Sequence, residues 1–309
     1  MKRIQYDRYG GPDVMHFAEF ELPRLEGDEV AVQVKACSVN PIDWKIRQGK
    51  LKMLTGRSFP RAMGFDFSGT VLEVGPGATR LKPGDQVFGL ARLKQSGGFA
   101  EAVVTSESCL AIKPEALSFE QAASLPTAAV TAWNGLVDKA AVRPGQQVFV
   151  NGCTGAVGEA TVQLARMLGA TVSGSCSAGT MDQAKRLGVE TVFDYRKIEF
   201  ATLVGRFDIV YDTSGAIAPK DGLGLLRPGG RFLDIHASPL KFLRAVFDRR
   251  LVLFFCTARP EILDEVAKAA AEGNIHMTVG KTVGFADAID LIREIEGGRK
   301  LNGKGLIVI

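Results

Sequence analysis

From residue 1 to about 120, short β-branched and apolar runs alternate with glycine- and proline-containing turns. Residues 29–36, 68–74 and 100–105 read as strands, separated by turns such as Gly75-Pro76-Gly77, Pro83-Gly84-Asp85 and Gly97-Gly98. This half predicts a compact β-rich domain. A helical stretch over 119–139 follows, and beyond it strands alternate with helices about every 20 to 25 residues. The strand candidates are 147–150, 171–175, 191–194, 208–213, 231–235 and 251–256, mostly apolar without strict alternation. Strands covered on both faces have that texture, and their repetition predicts a parallel, doubly wound sheet of the α/β class. Helices over 261–272 and 285–295 precede a last apolar run, Lys304 to Ile309, which reads as a strand. With six strands already completing the sheet, this run is free to return to the first domain.

The first of these parallel strands leads through Asn151-Gly152-Cys153-Thr154-Gly155-Ala156-Val157-Gly158 into an amphipathic helix with Val157, Ala160, Leu164 and Leu168 on one face. Strand, glycine turn and helix in that order place a pyrophosphate on a helix N-terminus. A phosphate can touch backbone N–H groups only where side chains are absent, and the helix dipole adds positive potential there. The octet departs from G-x-G-x-x-G because Cys153 stands in the place of the first glycine. By itself it leaves open a plain strand-to-helix turn in some other α/β protein. The next strand ends in Ser175, Cys176 and Ser177, where NAD enzymes commonly carry an acidic residue for the ribose hydroxyls. Without a carboxylate to repel a 2′-phosphate, NADPH is the expected cofactor.

Charge and composition narrow the function classes. The 38 basic and 34 acidic residues leave +4, with no block of like charges to indicate nucleic-acid binding. The cluster Lys241, Arg244, Arg249 and Arg250 reads as a solvated helix face. Five cysteines without a C-x-x-C pair argue against a disulfide framework and a thiolate metal site, and three histidines make no metal cluster. No apolar run reaches the ~18 residues of a membrane span, and the N-terminus has no secretory h-region. The expectation is a cytoplasmic protein with no metal.

Several motifs in sequence resemble the zinc-independent medium-chain dehydrogenase/reductases, in their quinone oxidoreductase branch. They run from Asn40-Pro41-Ile42-Asp43-Trp44-Lys45-Ile46-Arg47 and Gly64-Phe65-Asp66-Phe67-Ser68-Gly69 through Ala122-Ala123-Ser124-Leu125-Pro126 and the glycine turn to Phe193-Asp194-Tyr195 and Gly303-Lys304-Gly305. The resemblance implies a GroES-like substrate domain over 1–122 and 276–309 and a Rossmann domain over 123–275. Zinc-dependent relatives place a first metal ligand at the position of Asn40 and a histidine at that of Phe65; neither residue suits zinc.

The resemblance further implies that Asn40, Asp43 and Lys45 form the catalytic set, with Asn40 also near the cofactor. Asn40 or Lys45 is then the donor to a developing enolate oxygen, while Asp43 has a second reading as a helix N-cap. Thr131 is expected near the nicotinamide carboxamide, and Gly155, Ala156, Val157 and Gly158 at the pyrophosphate. Ser175, Ser177, Lys185 and Tyr195 are expected around the adenosine phosphate. The function implied is hydride transfer from NADPH to a quinone or to the β-carbon of an α,β-unsaturated carbonyl. Reduction of another activated alkene such as an enoyl thioester, and a non-catalytic NADPH-binding role, are the alternatives. The apolar run 251–256, read as a sheet edge, leads to an expected homodimer.

Overall fold

A computed structural model describes residues 1–236 and 238–309. The chain divides into two compact units, Met1–Thr127 with Ala258–Ile309, and Ala128–Thr257. The strands before the division are β1 (Lys2–Tyr6), β2 (Met15–Glu19), β3 (Glu29–Ser38), β4 (Arg61–Ala62), β5 (Asp66–Val74), β6 (Gln86–Leu90), β7 (Ala102–Ser106) and β8 (Leu110–Ile112). The middle unit holds β9 (Gln147–Asn151), β10 (Thr171–Cys176), β11 (Thr191–Asp194), β12 (Phe207–Asp212), β13 (Leu226–Asp234) and β14 (Leu251–Leu253). The chain then contributes β15 (Val279–Gly284) and β16 (Lys304–Val308) to the first unit.

In the first unit β16 lies between parallel β15 and antiparallel β3, with Leu306 opposite Ser38 and Ile307 opposite Cys37. The sheet continues from β3 through β5 and β6 to β8, and β7 also pairs with β3. Ile4, Val32, Phe67, Val87, Leu110 and Ile307 are buried in one core, so the last strand is part of the unit's interior. The expected return of this strand is thus observed. This is the GroES-like, β-rich part of the α/β fold.

The middle unit is a parallel sheet in the order β11-β10-β9-β12-β13-β14. The order reverses at β9, and ligands of such sheets bind at the carboxyl ends of the strands beside that reversal. Val148, Phe149 and Val150 are all fully buried, which explains the unbroken apolar run. Phe149, Val210, Leu225 and Phe232 form the core on one face.

Three expectations change. The strand expected over 251–256 stops at Leu253, because its partner β13 ends at Asp234, where the His236 N–H turns back onto Asp234 Oδ1 at 2.7 Å. The helical stretch 119–139 is split into Phe119–Ala123, Pro126–Trp133 and a wider π-helical turn Asn134–Lys139. In that turn the Asn134 amide is engaged by Thr257, whose N–H donates to Asn134 Oδ1 at 2.8 Å. Finally, residues 258–275 do not join the Rossmann unit as expected. Ile262, Leu263 and Val266 of the helix Pro260–Ala271 are buried, and the helix packs on β8 of the first unit, where Asp264 accepts from Arg80 at 2.9 Å. Amphipathic spacing fixes which helix face is buried, not which body buries it. Among the described residues no helix is long and apolar enough to cross a membrane.

Candidate active site

The segment Ser38 to Arg47 carries three of the sequence-derived candidates. β3 ends at Ser38, Asn40 adopts an extended conformation, and Pro41 opens the helix Pro41–Arg47, as proline does at a first helical position. Asp43 stands at the third helical position and accepts the Asn40 N–H at 2.7 Å, as in a capping box. It is therefore the reciprocal partner of the cap rather than the cap itself. Asp43 is buried, and burial pushes its carboxyl well above the usual carboxylate range; the Asn40 N–H pulls the other way, and the nearby Asp66 raises it further.

Asn40 is spent inside the protein. Its amide nitrogen donates to the Ser38 carbonyl at 3.2 Å and to Asp66 Oδ2 at 2.9 Å. Its Oδ1 accepts from the Lys304 ammonium at 3.1 Å. Both amide hydrogens are committed, so in this arrangement Asn40 has no donor to offer a substrate oxygen. Asp66, fully buried, also accepts from Ser38 Oγ at 3.1 Å, the Thr127 N–H at 3.1 Å, the Thr127 hydroxyl and Lys304 Nζ at 3.1 Å.

Lys45, just over one helical turn beyond Pro41, differs from both. It is half-buried, and its ammonium makes no hydrogen bond or ion pair among the described residues. Partial burial, helped by Lys50, holds its ammonium below the ordinary lysine range. Asp43 is buried and the Asn40 amide hydrogens are committed, so of the three candidates Lys45 alone is partly exposed with an uncommitted donor.

In the middle unit the chain leaves β9 at Asn151 and turns through Gly152, whose φ is +80°. Gly155 caps the helix Ala156–Met167 without a side chain, so the first N–H groups, of Ala156, Val157 and Gly158, face outward with no side-chain cap. A Cβ on Gly158 would stand 2.0 Å from the Gly152 carbonyl oxygen, so only glycine lets the helix start this close to the turn. Asn151 ties the strand ends together, donating to Asp212 Oδ1 at 2.8 Å and Ser214 Oγ at 2.7 Å while accepting from Ser175.

Ser175 is consequently fully buried with its hydroxyl on Asn151, and it shapes the turn from behind rather than facing a phosphate. Ser177 is placed differently. Its hydroxyl lies 3.0 Å from Thr180 Oγ1, which lies 3.0 Å from Thr154 Oγ1, a chain of hydroxyls between the glycine turn and the end of β10. The Tyr195 N–H donates to the Cys176 carbonyl at 3.0 Å, bringing the end of β11 beside Ser177. Arg196, absent from the sequence candidates, donates to the Tyr195 hydroxyl at 3.1 Å and stacks its guanidinium on that ring at 5.3 Å. The signal for it was its position directly after Tyr195. Lys185 is exposed, 3.7 Å from Asp182. Thr131 is buried on the helix Pro126–Trp133, its carbonyl accepting from the Tyr211 hydroxyl at 2.9 Å. Lys304 was the other residue the sequence did not single out, since 264 positions separate it from Asn40.

Known proteins agree with this architecture. Residues 26–115 match the alcohol dehydrogenase GroES-like domain, and residues 187–307 match the family described as zinc-binding dehydrogenase. The chain is 38% identical over 224 residues to a 2-methylene-furan-3-one reductase of Solanum lycopersicum, covering 70% of this chain and 57% of that protein. It is 32% identical over 249 residues to a chloroplastic quinone-oxidoreductase homolog of Spinacia oleracea, covering 77% of this chain and 76% of that one. The quinone oxidoreductase structure from Coxiella burnetii superposes with a TM-score of 0.88 at 28% identity, over 100% of this chain and 99% of the other. With these matches, and with the glycine turn, the reversed parallel sheet and the interleaved β-rich unit, the chain belongs to the medium-chain dehydrogenase/reductase family, among its quinone oxidoreductases.

Proposed function

We propose that the protein transfers hydride from NADPH to a quinone or to the β-carbon of an α,β-unsaturated carbonyl, without a metal. The observation that carries the cofactor choice is the end of β10, where the Ser177, Thr180 and Thr154 hydroxyls stand in place of a carboxylate, with the Arg196 guanidinium on Tyr195 just past the end of the neighbouring β11. Hydroxyls and a guanidinium suit a 2′-phosphate; a carboxylate suits ribose hydroxyls. The Ala156, Val157 and Gly158 N–H groups would hold the pyrophosphate. Bound NADPH supplies the hydride. The chain's own part is to orient it, keep water out and donate to the oxygen that gains charge. Lys45 is the donor for that oxygen, because Asn40 and Asp43 are already bonded within the fold. The acceptor class rests on what the tomato and spinach relatives are named for.

The test is NADPH oxidation with a quinone and an enone, side by side with NADH. Activity with either acceptor and a preference for NADPH are expected. The preference should fall ~10-fold or more in Arg196→Ala, in line with loss of a charge-assisted phosphate contact. Equal efficiency with both cofactors would defeat the phosphate assignment, and NADPH binding without turnover on any acceptor would leave only a binding role.

The same reading includes a homodimer and a reducing, cytoplasmic compartment, the latter supported by five free thiols. The dimer is supported by β14, which pairs with β13 on one side only, and by the helix Pro239–Phe247 beside it, where Leu240, Leu243, Val246 and Phe247 are exposed. An open edge next to an apolar face favours pairing with its own copy. Light scattering should give a dimer at micromolar concentration and a monomer for Val246→Glu; a wild-type monomer would remove the dimer from this reading.

A further inference from the structure

At the start of the helix Pro41–Arg47, Ser38 and Thr127 bonded to Asp66, and Asp43 bonded to the Asn40 N–H, form a buried polar pocket in which Asn40 and Asp66 hold one ammonium. Lys304 arrives on β16 with its side chain 2% exposed, and its Nζ lies 3.1 Å from both Asn40 Oδ1 and Asp66 Oδ2. A lysine so buried is tolerated only with a paired charge and further hydrogen bonds, and both are present. The family description matched by residues 187–307 implies zinc, yet these residues do not fit it. The side chain at the position of a first metal ligand is an amide whose oxygen already faces a cation, and the neighbouring carboxylate is filled by five donors.

We propose that Lys304 is the built-in cation of this pocket and a positioning residue for the reaction: its ammonium fixes which way the Asn40 amide faces and balances Asp66. Asp66 Oδ2 and the Ser38 carbonyl hold the nitrogen of the Asn40 amide, and the ammonium holds its oxygen, on the side facing β16. A flipped amide would set its oxygen against Asp66 Oδ2 and lose the bond to the Ser38 carbonyl. Asn40 closes the first turn of the helix that carries Lys45, through its N–H on Asp43 and its carbonyl, which accepts the Asp43 N–H at 3.0 Å. The effect of Lys304 on chemistry therefore passes through Asn40 to the placement of Lys45. This rests on the proposed role of Lys45, but the pairing of Lys304 with Asp66 and Asn40 stands apart from it.

The test uses Lys304→Met, Lys304→Arg and the doubly neutral Asp66→Asn with Lys304→Met. Lys304→Met should lower Tm by ~10 °C, since it leaves a buried carboxylate unpaired. The double variant should recover at least half of that loss, which a general packing defect would not allow. On activity, the double variant should remain folded with kcat down ~10 to 100-fold and NADPH dissociation constant within threefold of wild type, while Lys304→Arg regains part of kcat. Equal Tm losses in the single and double variants would overturn the pairing. Wild-type kcat in the folded double variant would overturn the positioning role. If wild type itself oxidises no NADPH, the activity reading fails while the stability cycle still decides the cation assignment.

Discussion

Lys45→Met should lower turnover by ~10 to 1,000-fold while leaving NADPH affinity within about twofold, the pattern of an interaction made only in the transition state. Met keeps the length and apolar stem of the side chain and removes the donor. The expected pH dependence has a definite sign. Burial and the neighbouring Lys50 hold the Lys45 ammonium below the ordinary lysine range, so the donor form is lost as pH rises through that lowered value. The wild-type kcat profile should fall on its alkaline side earlier than an ordinary lysine would, and that limb should vanish in Lys45→Met. Stopped-flow oxidation of NADPH with a quinone and an enone measures both. Unchanged hydride-transfer rates on both acceptors would take Lys45 out of the mechanism. A quinone is already electron-poor and needs less help from a donor, so the loss should be larger with the enone.

The second large effect is at the glycine turn. Gly158→Val places a Cβ 2.0 Å from the Gly152 carbonyl oxygen, a backbone atom that can move only if the turn opens. Opening the turn swings the Ala156 and Val157 N–H groups away from the pyrophosphate position, and NADPH affinity should drop by at least ~100-fold, about 2.7 kcal/mol. Gly155→Ala is the control. Its Cβ would lie 3.4 Å from the same oxygen, an ordinary contact, so its loss should be much smaller. Fluorescence titration with NADPH reads both, and unchanged affinity in Gly158→Val would show that the turn is not the phosphate cradle.

The parallel strands were readable because burial on both faces writes an unbroken apolar run, as at Val148, Phe149 and Val150. The glycine turn was readable because a steric requirement leaves a residue type behind. The helix Pro260–Ala271 was misassigned because its apolar stripe names no partner. Ser175 and Ser177 look alike in the sequence, yet Ser175 lies within β10 with its hydroxyl on Asn151, whereas Ser177 lies past the strand's end, at the start of the turn Ala178–Thr180, with its hydroxyl beside Thr180. The resemblance offers Asn40 or Lys45 as the donor to substrate, and nothing local to Asn40 in the sequence shows that its amide is in use. The groups that use it come from Asp66 and Lys304, 26 and 264 residues away. Polar pairing across such separations leaves no periodicity to read.

The interleaving of the two units has a consequence for how the chain reaches this state. Residues 128–257 form a contiguous segment with all six parallel strands, able to assemble as soon as that segment has left the ribosome. The β-rich unit cannot follow the same order. Its sheet has β16 between β15 and β3; β7 covers Glu29–Gln33 early, but the Ala36–Ser38 end of β3 waits for a strand about 270 residues later before its edge is covered. During that interval the β3 edge and the apolar positions that pack Ile307 are open to wrong partners. Synthesis rate and chaperone supply should thus govern the yield of the β-rich unit far more than that of the parallel sheet, and a chain cut before Lys304 should keep a folded parallel unit joined to an aggregation-prone remainder.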